Sequence, residues 1–104
     1  MEQDDIVTNE DLALLGIETV EADAIVARLT SIGYTLVEEP SDRFYTAELV
    51  REGFTALLWQ AYTMWCLSIN HGKRVAMPYI RVGSPKIVDG LPKIVAKHES
   101  ALLK

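Results

Sequence analysis

Apolar positions recur at spacings of three and four through most of the chain, and this period predicts helices. Thr8 or Asn9 can cap a short helix running to Leu15, with Glu10 and Asp11 in its first turn and Gly16 at its end. Thr19 offers the next cap. Ala22, Ile25, Leu29 and Ile32 then mark one face of an amphipathic helix, and Gly33 stops it. Tyr34 to Val37 reads as a short extended piece, and Glu38, Glu39, Pro40 and Ser41 as a connector. The longest predicted segment runs from Arg43 to Asn70, capped by Ser41 or Asp42. Ala47, Val50, Phe54 and Leu57 form a stripe in its first half, and from Phe54 to Ile69 it is apolar on nearly every side. Such a pattern describes a central helix that starts at the surface and becomes buried all round. Gly72, with Lys73 and Arg74 beside it, supplies its stop.

After Val75 the period changes. Val75 to Val82 and Pro85 to Val88 flank Gly83 and Ser84, which suit a tight hairpin turn, while Pro78 and Pro85 lack donors and restrict these pieces to edge strands or an extended arm. Asp89 and Pro92 open a last helix with Leu91, Ile94, Val95, His98, Ala101 and Leu102 at helical spacing. The predicted fold is mainly α: a small helical bundle around a long central helix, with a short β-hairpin or extended arm over 75–88 before the C-terminal helix. Its core is expected at Ile25, Leu29, Val50, Phe54, Leu57, Leu58, Ala61, Trp65, Ile94 and Val95. Trp59 and Trp65 lie six apart and do not share a helical face, which leaves one of them free to reach an interface.

The length of 104 residues suits one soluble domain over 1–104, with residues 1–7 as an acidic leader. That leader lacks the basic and apolar regions of a secretory signal. The uncharged run from Gly53 to Ile69 is at the lower bound for a membrane span and carries Thr55, Gln60, Thr63 and Ser68, so it reads as core. Cys66 is the single cysteine, which excludes a disulfide within the chain and reads as a small buried hydrophobe. Charge is informative by position. Residues 1–40 hold ten acidic side chains against Arg28 alone, whereas residues 71–104 hold seven basic ones against Asp89 and Glu99. Complementary ends of this kind can neutralise each other within one fold or steer one copy towards another.

Candidate chemistry is sparse. His71 stands at a predicted helix end and His98 on an apolar stripe, and neither has a neighbouring carboxylate pattern for a metal or a triad. The acidic pairs Asp4–Asp5, Glu10–Asp11 and Glu38–Glu39 lack the glycine-punctuated spacing of a calcium loop, and Gly83 and Gly90 fit no phosphate loop. No catalytic, cofactor-binding or metal-ligating residue is therefore expected, and no enzymatic activity. Lys73, Arg74, Arg81, Lys86, Lys93 and Lys97 with Tyr79 could form a nucleic-acid patch, but the net charge of −5 favours an acidic protein neighbour. The segment singled out as a partner interface comprises Met77, Pro78, Tyr79, Ile80, Arg81, Val82, Lys86 and Ile87, which are apolar and basic and lie between two helix-forming stretches.

The order of parts resembles the small, mainly helical head-tail connector, or adaptor, proteins of tailed bacteriophages. The likeness is carried by Leu14, Leu15, Gly16 and Ile17 before an amphipathic helix, the long apolar helix from Leu49 to Ile69, the extended Tyr79–Val88 segment and the closing helix. It implies a structural subunit that forms a ring with copies of itself, between the portal and tail-side neck proteins, without membrane contact and with DNA only as passing channel content. The implied location is the virion neck, and the bacterial host cytoplasm during assembly. The alternative is a small regulatory or inhibitor-type protein that binds a host protein.

Overall fold

The structure, a computed structural model, describes residues 20–62 and 64–104. The acidic leader, the helix expected to end at Leu15 and the Leu14–Ile17 motif lie outside the described residues. Within them the chain forms helix α1 (Ala22–Ser31), strands β1 (Thr35–Leu36), β2 (Ala47–Arg51), β3 (Phe54–Ala61), β4 (Met64–His71), β5 (Arg74–Val75) and β6 (Ile80–Val82), and helix α2 (Pro85–Leu102). The strands build one antiparallel sheet in the order β1-β2-β3-β4-β5, with β6 also pairing β4, further along that strand.

This architecture overturns the mainly α prediction. The stretch expected to be one central helix from Arg43 to Asn70 is three strands, and the Leu49–Ile69 helix of the connector likeness is absent. Local chemistry explains the difference. Glu52 and Gly53 both take positive φ, 47° and 90°, which is the turn that matches the twist of a two-residue hairpin. They let Arg51 pair with Phe54, and from there Leu49 meets Ala56 and Ala47 meets Leu58. Beyond Ala61, Tyr62 at φ 59° begins the reversal that pairs Ala61 with Met64, and β3 and β4 then run together over eight residues each. Burial alternates along β3, with Phe54, Ala56 and Leu58 buried and Thr55, Leu57 and Trp59 only half-buried. That is the period of a strand.

The extended arm is corrected as well. Gly83 and Ser84 do not turn a hairpin: Ser84 is the N-cap of α2 and accepts a hydrogen bond from the Ile87 amide, and Pro85 occupies the first turn, where its missing donor costs nothing. The helix thus starts before Asp89 and carries Pro92 in its interior.

Both helices pack on one face of the sheet. Ile25 and Leu29 of α1, Leu91 and Val95 of α2, and Leu49, Leu58, Leu67, Ile69 and Val82 of the strands are wholly buried between the layers. Of the other expected core positions, Phe54 is buried, and Trp65 and Ile94 are partly buried against the core. Leu57 and Ala61 are half-buried and Val50 is 40% exposed, because strand alternation turns all three to the opposite face. Trp65 is held by its indole N–H, which donates to the Val20 carbonyl at 2.9 Å.

A polar clamp joins the layers at one end. The buried Tyr34 hydroxyl donates to Glu99 Oε2 at 2.6 Å, and Arg51 Nη1 reaches both Glu99 oxygens at 2.9 and 3.0 Å. Burial first, and then the Glu99 carboxylate, push the Tyr34 hydroxyl well above the ordinary tyrosine pKa. Arg74 of β5 donates to the carbonyls of Leu102 and Lys104, so the base expected at the negative end of its own helix serves the end of α2 instead.

Candidate binding face of the sheet

The second face of the sheet carries the outward residues of the same strands. Thr55, Leu57, Trp59 and Ala61 of β3 sit beside Asn70, Ser68, Cys66 and Met64 of β4 in the pairing register. Glu48 and Val50 flank them on β2, and Arg81 flanks them on β6, level with Cys66. No charged residue stands at these outward positions on the two central strands.

An aromatic cluster forms around Trp59. Tyr79, just before β6, meets its ring edge-on with centroids 4.9 Å apart, and Phe44 and Tyr45, just before β2, each lie 5.9 Å from it. Phe44 and Tyr45 also contact each other at 5.4 Å. Asp42 fixes this loop by accepting the Phe44 amide at 2.8 Å, while Glu48 Oε1 accepts both the amide and the hydroxyl of Ser41 at 2.8 Å. Residues from three parts of the sequence are thereby brought over one strand. Three of these four ring contacts are edge-on, a favoured geometry for such pairs, and the Phe44–Trp59 contact is tilted. The cluster is far from covered: Phe44 is 64% exposed and Tyr79 46%.

A cleft of about 370 Å³ opens beside the cluster, lined by Phe44, Tyr45, Leu57, Trp59, Ser68, Asn70, Val75 and Tyr79. At its floor the Ser68 hydroxyl donates to Asn70 Oδ1 at 2.7 Å, which leaves the Asn70 amide N–H groups to point elsewhere. The lining is apolar with a few convergent polar groups, the usual make-up of a recognition surface.

Clefts also lie elsewhere among the described residues. One of about 570 Å³ separates α1 from the start of α2 beside Val20, with Arg28 and Asp89 paired at 3.1 Å on its wall. Another, about 390 Å³, lies between Ala76–Pro78 and α2, where His98 Nδ1 is buried without a hydrogen-bond partner. Burial, and secondarily the Lys97 charge, hold the His98 pKa below the usual histidine value. His71 packs its ring on Phe54 at 4.9 Å, on the opposite face from the aromatic cluster. The two histidines thus stand in separate surroundings, and no group of three His, Cys, Asp or Glu side chains among the described residues could hold a metal. No helix among them is long and apolar enough to cross a membrane.

The structure divides the segment singled out in the sequence. Tyr79 and Arg81 lie on the open face, Ile80 and Val82 are buried under the helices, Met77 and Pro78 line the His98 cleft, and Lys86 and the half-buried Ile87 belong to α2. Phe44 and Tyr45 were not assigned to a site from the sequence, and Trp59 entered only as one of two tryptophans of which one was free to reach an interface. The signal for Trp59 is the alternation itself: Leu57 and Trp59 are large apolar residues at the outward positions of a strand whose inward positions are already apolar. Comparison with protein-family models, with curated proteins and with solved structures gives no match.

Proposed function

We propose that this chain is a non-catalytic protein-binding domain whose working surface is the open face of its sheet, centred on Trp59. One observation carries the reading: among the described residues the helices bury one face only, and the face they leave open is apolar and aromatic where an antiparallel sheet in contact with water is ordinarily polar. Aromatic side chains offer large contact area at a small cost in conformational entropy, and they dominate the energetics of protein interfaces. A role in a larger assembly falls within the same class. The connector likeness, however, rested on a long helix that the fold replaces with strands, so the proposal concerns the surface and not a ring beneath a portal.

The experiment is site-specific photo-cross-linking in cells that produce the protein. A photoreactive phenylalanine analogue replaces Phe44 or Tyr79 on the open face, or Ala96 on the exposed side of α2. The expected result is discrete protein adducts from Phe44 and Tyr79 and none from Ala96. Equal labelling at all three positions, or none at Phe44 and Tyr79, would reject the reading.

A further inference from the structure

We propose that the occupant of the open face is a second copy of this chain, packed sheet to sheet about a two-fold axis that runs along the strands between β3 and β4. The inference rests on the open face being the working surface, and it is the charges at the margins of that face that point to the partner. The central strands present no charge outward, β2 presents Glu48 and β6 presents Arg81. Neither has an ion-pair partner among the described residues, although Glu48 Oε1 holds Ser41. A two-fold axis along the strands lays the β6 side of one copy over the β2 side of the other. Each Arg81 then comes over the strand that carries the partner copy's Glu48. In register Glu48 is level with Leu57 and Ser68, and Arg81 with Trp59 and Cys66, a step of two residues or about 7 Å along the strands, within reach of an extended arginine. The pairing occurs twice, as a self-complementary interface requires.

The size of the face lies at the lower bound for a stable pair. At about 3.4 Å per residue β3 and β4 are about 27 Å long, β2 about 17 Å and β6 about 10 Å, and at about 4.8 Å per strand the four offer a planar footprint of about 390 Å² per copy. Two such faces give roughly 800 Å² before side-chain relief is counted, and that relief, with the flanking Phe44, Tyr45 and Tyr79 rings, must supply the rest of the roughly 1,000 Å² that a specific interface needs. Sheets pack face to face at about 10 Å through interdigitating side chains, and the Trp59 cluster supplies them.

Sedimentation equilibrium of the purified chain tests this with charge variants. Wild type is expected to be a dimer. Arg81→Glu alone places two acids opposite each other and Glu48→Arg alone two bases, so each variant should dissociate at least tenfold more readily. Mixing the two variants restores both attractive pairs, and a heterodimer at least as tight as wild type is the expected result. Because Glu48 also holds Ser41, circular dichroism checks the fold of that variant. Should it fail to fold, Arg81→Glu and Tyr79→Lys in wild-type context must each still weaken the dimer. A wild-type monomer at several hundred micromolar, a dimer indifferent to these changes, or an open ring would overturn the inference. A monomer whose Tyr79 position cross-links to a different protein, or within its own chain, would also overturn it. The adduct to a different protein would leave the open face standing as a binding surface, whereas a lack of adducts rejects that reading itself.

Discussion

Leu57 and Leu58 are adjacent, chemically identical and on opposite faces, which makes them a direct test of the architecture. Leu58 is wholly buried, with Leu67 on one neighbouring strand and Ala47 on the other, whereas Leu57 is half-buried beneath the open face. Changing Leu58 to Ala removes three carbons from the core, which costs about 2.4 kcal/mol in transfer at roughly 0.8 kcal/mol each. A cavity term adds to this, because neighbours as small as Ala47 and Ala56 cannot move in to fill the space. The total should be about 3–5 kcal/mol, in the upper part of the range for buried leucines. Leu57→Ala forfeits about half of the transfer term and encloses no cavity, so about 1 kcal/mol is expected. Urea unfolding followed by far-ultraviolet circular dichroism measures both, at protein concentrations low enough that association through the open face does not contribute. Equal losses for the two variants would refute the alternation and return the segment to a helix buried all round.

Three further outcomes follow from buried polar groups. Glu99→Ala leaves the Tyr34 hydroxyl buried without an acceptor and should cost about 1–3 kcal/mol, with less than additive loss when combined with Tyr34→Phe; additive losses would refute the clamp. Since the folded Tyr34 pKa is raised, the unfolded chain releases the proton first as pH climbs past about 10, so wild type should lose stability there more steeply than Tyr34→Phe. His98 has the opposite sign: its folded pKa is lowered, the unfolded chain takes up the proton first, and stability should fall as pH drops below about 6.5. His98→Leu, with His71 unchanged, should flatten that dependence of the urea midpoint, and identical slopes would discount the buried imidazole.

The parts of the fold that could be read from the sequence are those where one period and one end signal agree. The face made by Ala22, Ile25 and Leu29 belongs to α1, and Gly33 at φ 104° follows it in the conformation that favours glycine. The central segment deceived for a physical reason. A strand with apolar residues on both sides and an all-round apolar helix look alike in a short window, and β3 and β4 have such residues outward at Leu57, Trp59, Ala61, Met64 and Cys66. Gly53 was the available clue, since a glycine amid a supposed helix lowers its stability and marks a turn. Tyr62 offered none, because a positive φ at tyrosine is imposed by the hairpin around it. At the site, Tyr79 and Arg81 fell in a segment already suspected of meeting a partner. Phe44 and Tyr45 could not be placed with Trp59, because their proximity depends on the register of β2 against β3.

The property that hid the strands also bears on function. An antiparallel sheet with one face in water can place polar residues outward at no cost to its core, so apolar outward residues are not required by folding alone. Here polarity is graded along the strands. Thr55, Asn70 and Ser68 occupy the end nearer the Glu52–Gly53 turn, while Trp59, Cys66, Ala61 and Met64 occupy the other. Met64 and Tyr79 are substantially exposed in that arrangement, as is Val50 at the flank. A chain under pressure only to remain dispersed would blunt such a surface with charge, as edge and surface positions commonly are. Instead its charges stand at the margins, one of each sign, and the centre is left dry in character. Apolar centre and charged rim are the two components that a specific protein interface combines, and on the proposed reading the β2 acid and β6 base would fix which margin of a partner can approach which.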